Sequence, residues 1–442
     1  MGGILADDMG LGKTVQVLSY LLAMKQNGQT LPSLIVCPAS LVLNWAEECQ
    51  KFTPELSCVV VDGDAAHRAE LAESWPAADL VVTSYDLLRR DEALYEGQEF
   101  YACILDEAQA IKNHTTQKYK AVCKVRSRVR FALTGTPVEN RLGELWSIFS
   151  FLMPGYLPPY KSFCSRFEKP IVQEEDQTAV RRLNQLTGPF ILRRMKSDVL
   201  KELPPKTENV YRIELEEEQR KLYLAAVVDA REKLQAAKPE DKMAVFAVLM
   251  RLREICCDPR LIADNWEGGS AKLDACVELV SSAVEGGHRI LLFSQFTSML
   301  ELLAKRLDAE GISHFTLQGS TPKPVRAELV RRFNGGEVSV FLISLRAGGT
   351  GLNLTAADIV IHYDPWWNVA AQNQATDRAY RIGQQNPVQV YKLIAQDTIE
   401  EKIVELQQAK QSLADTVTGT ADGAILSMRP DELLQLLEGS EP

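Results

Sequence analysis

The hydrophobic positions of this 442-residue chain change period along its length, and the changes lay out its elements. In the first half, apolar runs of strand length recur: Gly3-Ile4-Leu5-Ala6, Leu34-Ile35-Val36-Cys37, Val59-Val60-Val61, Leu80-Val81-Val82-Thr83, Cys103-Ile104-Leu105 and Phe131-Ala132-Leu133-Thr134. Helix-length segments separate most of them, the first running apolar on one face through Leu18, Leu21 and Leu22. Continuous apolar strands alternating with helices predict a parallel sheet buried on both faces, the doubly wound α/β class. The alternation returns with Ile290-Leu291-Leu292-Phe293, Phe315-Thr316-Leu317, Val340-Phe341-Leu342-Ile343, Ile359-Val360-Ile361 and Val388 to Tyr391. Between the blocks the pattern turns helical. Leu222, Leu224, Val227 and Val228, then Phe246, Leu249, Leu252 and Ile255, mark two helices, with a charged loop around Lys233 to Lys242. Leu203-Pro204-Pro205-Lys206-Thr207 predicts a stiff extended connector. Asp431 to Leu437 predicts a short acidic amphipathic helix that docks on the core or on a partner.

Ligands of doubly wound sheets bind at the carboxyl ends of the strands, and the candidate chemistry sits there. After the first strand comes Asp7-Asp8-Met9-Gly10-Leu11-Gly12-Lys13-Thr14, a glycine-containing loop feeding a helix. Backbone N–H groups and the helix dipole would cradle phosphates, Lys13 would add charge, and the Thr14 hydroxyl suits Mg2+. The first glycine of the strict pattern is replaced by Asp7. Asp106-Glu107 closes the strand Cys103-Ile104-Leu105: the first carboxylate suits Mg2+, the second the attacking water. A solvated acidic turn is the plainer reading of that pair, but the phosphate loop upstream favours the catalytic one. Thr134-Gly135-Thr136-Pro137 ends the next strand, either as a simple turn or as a sensor of the γ-phosphate.

The second half has no phosphate loop of its own. Ser344 to Leu354 is a glycine-dense turn in which Gly349 and Gly351 permit close backbone approach to a ligand. In Gln374-Ala375-Thr376-Asp377-Arg378-Ala379-Tyr380-Arg381-Ile382-Gly383-Gln384, Arg378 and Arg381 are three apart, so a helix would present both from one face. Two such cations can neutralise charge on a transferring phosphoryl group. Trp366-Trp367 just upstream reads as packing that positions this segment.

These motifs resemble those of the Swi/Snf family of DNA-stimulated ATPases. The resemblance runs from Gly2 to about Lys410, most closely in Asp8 to Thr14, Asp106-Glu107-Ala108-Gln109, Leu133 to Asn140 and Gln374 to Gln384, with wording nearer to bacterial members. It implies two RecA-like lobes, each a mainly parallel sheet flanked by helices, with a helical insertion in the second half. The expected division is 1–195 for the ATP-binding lobe, 196–213 for a linker, 214–271 for the insertion, 272–415 for the second lobe and 416–442 for a tail. It implies ATP and Mg2+ as cofactors: Asp8, Met9, Gly10, Leu11, Gly12, Lys13, Thr14, Gly349, Gly351 and Gln374 around the nucleotide, Thr14 and Asp106 on the metal, and Lys13, Asp106, Glu107, Arg378 and Arg381 as catalytic residues. It also implies sequence-independent contacts to duplex DNA, within a DNA-bound protein complex such as a transcription complex, at Pro38, Ser40, Thr83, Ser84, Tyr85, Arg193, Arg194, Ser294, Gln295, Ser320 and Thr321. Read from the residues alone, the turns at Pro38–Leu41 and Thr83–Tyr85 suit phosphate oxygens and helix capping equally.

The resemblance further implies a segment ahead of the first strand, with an adenine-recognising glutamine, which this chain lacks. A partial protein or a downstream start is therefore expected, and a non-hydrolysing DNA-binding relic becomes the rival to a motor. A strand-separating helicase is the other rival and would need a wedge element that the sequence does not display.

Composition adds bounds. A net charge of −10 argues against coating nucleic acid by bulk charge, while leaving room for a local basic groove. The longest apolar run, Met243 to Met250, is far below the roughly 18 residues of a membrane helix. Nine scattered cysteines without a Cys-x-x-Cys pair argue for reduced thiols. A cytoplasmic protein is expected, associated with the nucleoid if bacterial.

Overall fold

The structure, a computed structural model, describes residues 2–135, 142–174, 176–200, 202–236, 238, 241–263, 265–348, 352–366, 369–407, 433, 434 and 437. The chain folds as two compact units, the first running to Lys201 and the second beginning at Glu202.

The first unit is built on a seven-stranded sheet: β1 (Gly2–Leu5), β2 (Ser33–Cys37), β3 (Cys58–Val60), β4 (Leu80–Ser84), β5 (Glu99–Asp106), β6 (Arg126–Leu133) and β7 (Ile191–Leu192). Their order is β3-β4-β2-β5-β6-β1-β7, and every pairing is parallel. Two apolar layers cover its faces. One holds Val36, Val81, Cys103 and Leu105 against the helix Leu142–Leu152; the other holds Ile35, Val82 and Ile104 against the helices Lys13–Gln26 and Val42–Phe52. The continuous apolar runs in the sequence reflect this burial on both sides. Gly2 is required by close packing, since a Cβ there would lie 2.1 Å from the Arg130 carbonyl oxygen on β6.

The second unit has a six-stranded, all-parallel sheet of β8 (Lys206–Ile213), β9 (Ile290–Ser294), β10 (His314–Leu317), β11 (Val340–Ser344), β12 (Ile359–His362) and β13 (Val388–Ala395), ordered β10-β11-β9-β12-β13-β8. Residues 206–213, expected within a linker, are therefore extended but not free: they form the edge strand beside β13, in register from Lys206↔Val388 to Ile213↔Ala395. The two-unit α/β architecture matches the expectation.

The helical segment forms two helices, Glu217–Ala236 and Lys242–Cys257. The face that the first buries is Tyr223, Val227, Ala230 and Leu234, not Leu224 and Val228; Val228 is 56% exposed. Tyr223 decides the rotation, because its ring is buried and its hydroxyl accepts from the Ile399 N–H at 2.7 Å. The charged loop starts later than expected, since Lys233 still lies in the helix. Leu433 and Leu437 are buried in the same apolar cluster, and Arg231 donates to the Leu437 carbonyl at 2.7 Å.

Two ion pairs among the described residues of this unit are fully buried. Lys272 meets Glu400 at 2.5 Å, and Arg253 meets Asp364 at 3.3 Å. Asp364 also accepts from the Ser294 hydroxyl at 2.6 Å and the Gln295 N–H at 3.2 Å, so one carboxylate ties the ends of β9 and β12 to the helix Lys242–Cys257.

Candidate nucleotide site

Beyond β1 the chain enters the loop that ends at Gly12. Gly10 and Gly12 adopt φ of 88° and 74°, a region glycine occupies without strain. The helix Lys13–Gln26 then opens with no side-chain cap and no carboxylate in its first turn. Its leading N–H groups and positive dipole end are left for an anion. A Cβ on Gly12 would meet nothing within 4 Å, so there is open space beside the loop. Lys13 lies over it, its ammonium donating to the carbonyls of Asp7 at 2.7 Å and Asp8 at 3.3 Å.

Asp7, at the position of the missing glycine, is fully buried. Its Oδ1 accepts from the Arg194 N–H at 3.0 Å and from Arg194 Nε at 3.1 Å, while Oδ2 accepts from Arg194 Nη2 and from Gln16 Nε2 at 3.3 Å. Burial pushes this carboxyl up, but the Arg194 and Gln16 hydrogen bonds outweigh it and hold it below the usual carboxylate range. Arg194, expected on a DNA-facing surface, pairs here with Asp7, because an ionised buried carboxylate demands a paired cation, while its own side chain stays 40% exposed. Arg193 beside it is exposed.

Asp106 ends β5. Its Oδ2 accepts from the buried Trp45 indole at 2.8 Å, and its Oδ1 from the Glu107 N–H at 2.9 Å. Burial first, and the Glu107 charge second, push this carboxyl up to about 7, against the opposing pull of Trp45 and of the Lys13 charge. Lys13 and Asp106 are thus brought within electrostatic reach. Glu107 takes a left-handed backbone, φ 51°, unusual for a non-glycine residue and typical of strained functional positions. Its Oε2 accepts from Gln109 Nε2 at 2.6 Å, and Gln109 Oε1 accepts from the Thr134 hydroxyl at 3.0 Å. The strand ends thereby form one chain of contacts, Glu107–Gln109–Thr134. An open, uncapped anion cradle beside a lysine, a threonine and a carboxylate that a cation would help to ionise fits a magnesium–nucleoside triphosphate.

The remaining expected contacts fall unevenly. Thr83, Ser84 and Tyr85 are buried: Thr83 accepts from the Tyr95 hydroxyl at 3.1 Å, Ser84 caps the helix Tyr85–Arg90, and the Tyr85 hydroxyl donates to the Asp106 carbonyl at 2.9 Å. Their side chains serve the fold. Pro38 and Ser40 are half-buried at a turn before the helix Val42–Phe52, which has no side-chain cap. In the second unit, Ser294 is buried on Asp364, the backbone N–H of Gln295 is taken by the same carboxylate, Thr321 closes a turn with the Gln318 N–H at 3.1 Å, and Ser320 is exposed. Residues 136–140, Gly349, Gly351 and Trp367 lie outside the described residues.

Arg378 and Arg381 differ from expectation in local structure. The helix Val369–Thr376, which carries Gln374, ends before them, and both lie in the turns that follow, Arg378 buried and Arg381 half-buried. Gln384 shapes those turns: its amide donates to the Ala357 carbonyl at 2.7 Å and the Ala379 carbonyl at 3.2 Å, and accepts from the Gln385 and Asn386 N–H groups, both at 2.9 Å. His362 fixes the preceding residue, Nε2 lying 2.8 Å from the Thr376 hydroxyl. Burial, then the Lys392 charge, push its pKa down to about 3, so the ring is neutral near pH 7.

Two family descriptions match the chain: the SNF2-related domain over residues 1–261 and the helicase conserved C-terminal domain over 271–383. The chain belongs to the SNF2-related family. Relatives of this SNF2 chain include an uncharacterised ATP-dependent helicase of Mycoplasma pneumoniae, 41% identical over 99% of this chain and 42% of that protein. Another is the putative ATP-dependent helicase/translocase YwqA of Bacillus subtilis, 40% identical over 98% of this chain and 48% of that protein. The chain thus spans less than half the length of these relatives. Among solved structures, the Sulfolobus solfataricus SWI2/SNF2 ATPase core in complex with dsDNA is 35% identical over 98% of this chain and 90% of that one, with a TM-score of 0.47.

Sequence reasoning missed Trp45, Gln16, Asp364 and the roles of Arg194 and Gln384. Trp45 carried a signal, since a buried indole N–H seeks an acceptor. Asp364 carried none, because its partners come from distant strand ends.

Proposed function

We propose that this SNF2 chain hydrolyses MgATP in a DNA-stimulated cycle, translocating on duplex DNA and remodelling DNA–protein complexes in the cytoplasm. The observation that carries the reading is the assembly at the carboxyl ends of β1 and β5: an uncapped helix start, Lys13 and Thr14, with Asp106 and Glu107 alongside. The leading N–H groups of the helix and Lys13 bind the phosphates. Thr14 and Asp106 would hold Mg2+, which when bound would neutralise phosphate charge. Glu107 orients the attacking water and takes its proton, its carboxylate aimed by the left-handed backbone and by Gln109. Arg378 and Arg381 are cations of the kind that neutralise charge on a transferred phosphoryl group. Relatives named as ATP-dependent helicases or translocases support a nucleic-acid motor. Backbone N–H groups at strand-to-helix turns, with exposed Arg193 and Ser320, suit phosphate contacts that read no bases.

The test is ATP hydrolysis with and without duplex DNA, alongside Glu107→Gln. DNA-stimulated turnover abolished by the substitution supports the motor. DNA binding with no turnover would make the chain a binding relic, and release of a displaced strand would make it a helicase.

A further inference from the structure

The phosphate loop of this chain is stitched to a segment far away in sequence. Pairing between β1 and β7 continues past the strands: the Ala6 N–H donates to the Leu192 carbonyl at 2.7 Å, and the Asp8 N–H to the Arg194 carbonyl at 3.0 Å. Both aspartates of the loop then turn their side chains onto the same segment. Asp7 accepts from the Arg194 N–H and guanidinium, and Asp8 Oδ2 accepts from the Lys196 N–H at 3.0 Å. Gln16, one turn into the helix after the loop, closes the clasp by bonding both Asp7 and Arg194.

A loop that only had to cradle phosphate would be served by glycine at position 7. Burying a carboxylate there carries a desolvation cost that only a well-made pair offsets. Arg194 makes it well, with a forked guanidinium that a lysine could not reproduce. The position of the clasp shows what it can do. Lys13 bonds the carbonyls of the same two residues, Asp7 and Asp8, whose side chains hold Arg194 and Lys196. A phosphate that draws Lys13 away changes the bonding of those two peptides directly. Eight residues after Arg194 the chain enters the second unit at Glu202, and β8 begins at Lys206.

We propose that the Asp7–Arg194 clasp is a relay: nucleotide occupancy at Lys13 is passed through Asp7 and Asp8 to the backbone at Arg194–Lys196, the stretch that leads into the second unit. Arg194 is thus a positioning residue that couples the site to the connector. The inference rests on the nucleotide-binding reading above.

Backbone hydrogen exchange on the full chain, with and without MgADP and without DNA, reads the relay directly. MgADP is expected to slow exchange at the Arg194 and Lys196 amides by about tenfold, together with the loop amides of Gly10 to Lys13. In Arg194→Lys the slowing is expected to persist at Gly10 to Lys13 and to vanish at Lys196. Protection of the loop with no change at Arg194 and Lys196 overturns the relay while leaving nucleotide binding intact, and so does an unaltered Lys196 response in Arg194→Lys. Protection at neither stretch sinks the nucleotide reading and the relay with it.

Discussion

The indole of Trp45 donates to the Asp106 carboxylate at 2.8 Å, joining the helix that follows the Pro38–Leu41 turn to the carboxylate proposed to hold Mg2+. Both partners are tied to the fold, Trp45 by burial at 1% exposure and Asp106 by the Glu107 N–H. Trp45→Phe keeps an aromatic ring but deletes the donor. A hydrogen bond to a charged group contributes about 1.5–3 kcal/mol. The Mg2+ concentration for half-maximal ATP turnover should therefore rise by roughly tenfold or more. An unchanged Mg2+ requirement in Trp45→Phe would show that the indole is packing alone.

Glu107→Gln keeps the length of the side chain but removes the base. Turnover is expected to fall by about 10²–10⁴ with nucleotide affinity retained. Gln109→Ala deletes the link between Glu107 and Thr134 and should cost less, about tenfold, because the base survives but is no longer aimed. Single-turnover assays with direct nucleotide binding separate the two effects.

The raised pKa of Asp106 gives Mg2+ binding a pH dependence of definite sign. Its carboxyl titrates at about 7 instead of the ordinary 3.8. As pH rises from about 4 to 7 an unfolded chain ionises this group while the folded chain does not, so without metal the folded state loses stability over that window. Mg2+ must expel the retained proton. Its affinity should drop about tenfold per pH unit below 7, with proton release visible by calorimetry in buffers of different ionisation heat. A flat affinity between about pH 5 and 7 would remove Asp106 from the metal site.

Lys272→Met removes one partner of a fully buried ion pair and strands Glu400. Breaking such a pair costs about 3–5 kcal/mol. Thermal unfolding should show the transition of the second unit moved down, and Lys272→Met/Glu400→Leu should recover much of the loss. A double variant no better than the single would mean that the pair is not where the cost lies.

Much of this fold was legible because burial on both faces makes a parallel strand read as an unbroken apolar run, as in Leu34–Cys37 or Val340–Ile343. β8 escaped because an edge strand beside a proline pair, with seven of its eight residues exposed, has no apolar run to display. The helix face at Tyr223 was missed because a tyrosine was not counted as core, although its hydroxyl had a buried partner waiting. In the site, Lys13, Asp106 and Glu107 stand at strand ends that local sequence marks. The Asp7–Arg194 pair went unread because its members lie 187 positions apart, and no local pattern registers a pairing at that distance. The turn geometry of Arg378 and Arg381 was hidden for a related reason: Gln384 organises it through carbonyls of Ala357 and Ala379, contacts that only the folded chain reveals.

The pairing of β8 with β13 has a mechanical consequence. β8 is the first structured stretch of the second unit, and it lies in parallel register with β13 from its first residue to its last. Tension applied along the axis of β8 would load its hydrogen bonds in shear, all together, instead of opening them one after another from an end. A slip by one residue would turn Ile213, the buried last residue of the strand, out of its apolar cluster. The stretch that the sequence presents as a tether is thus a rivet, fastened into the sheet along its whole length.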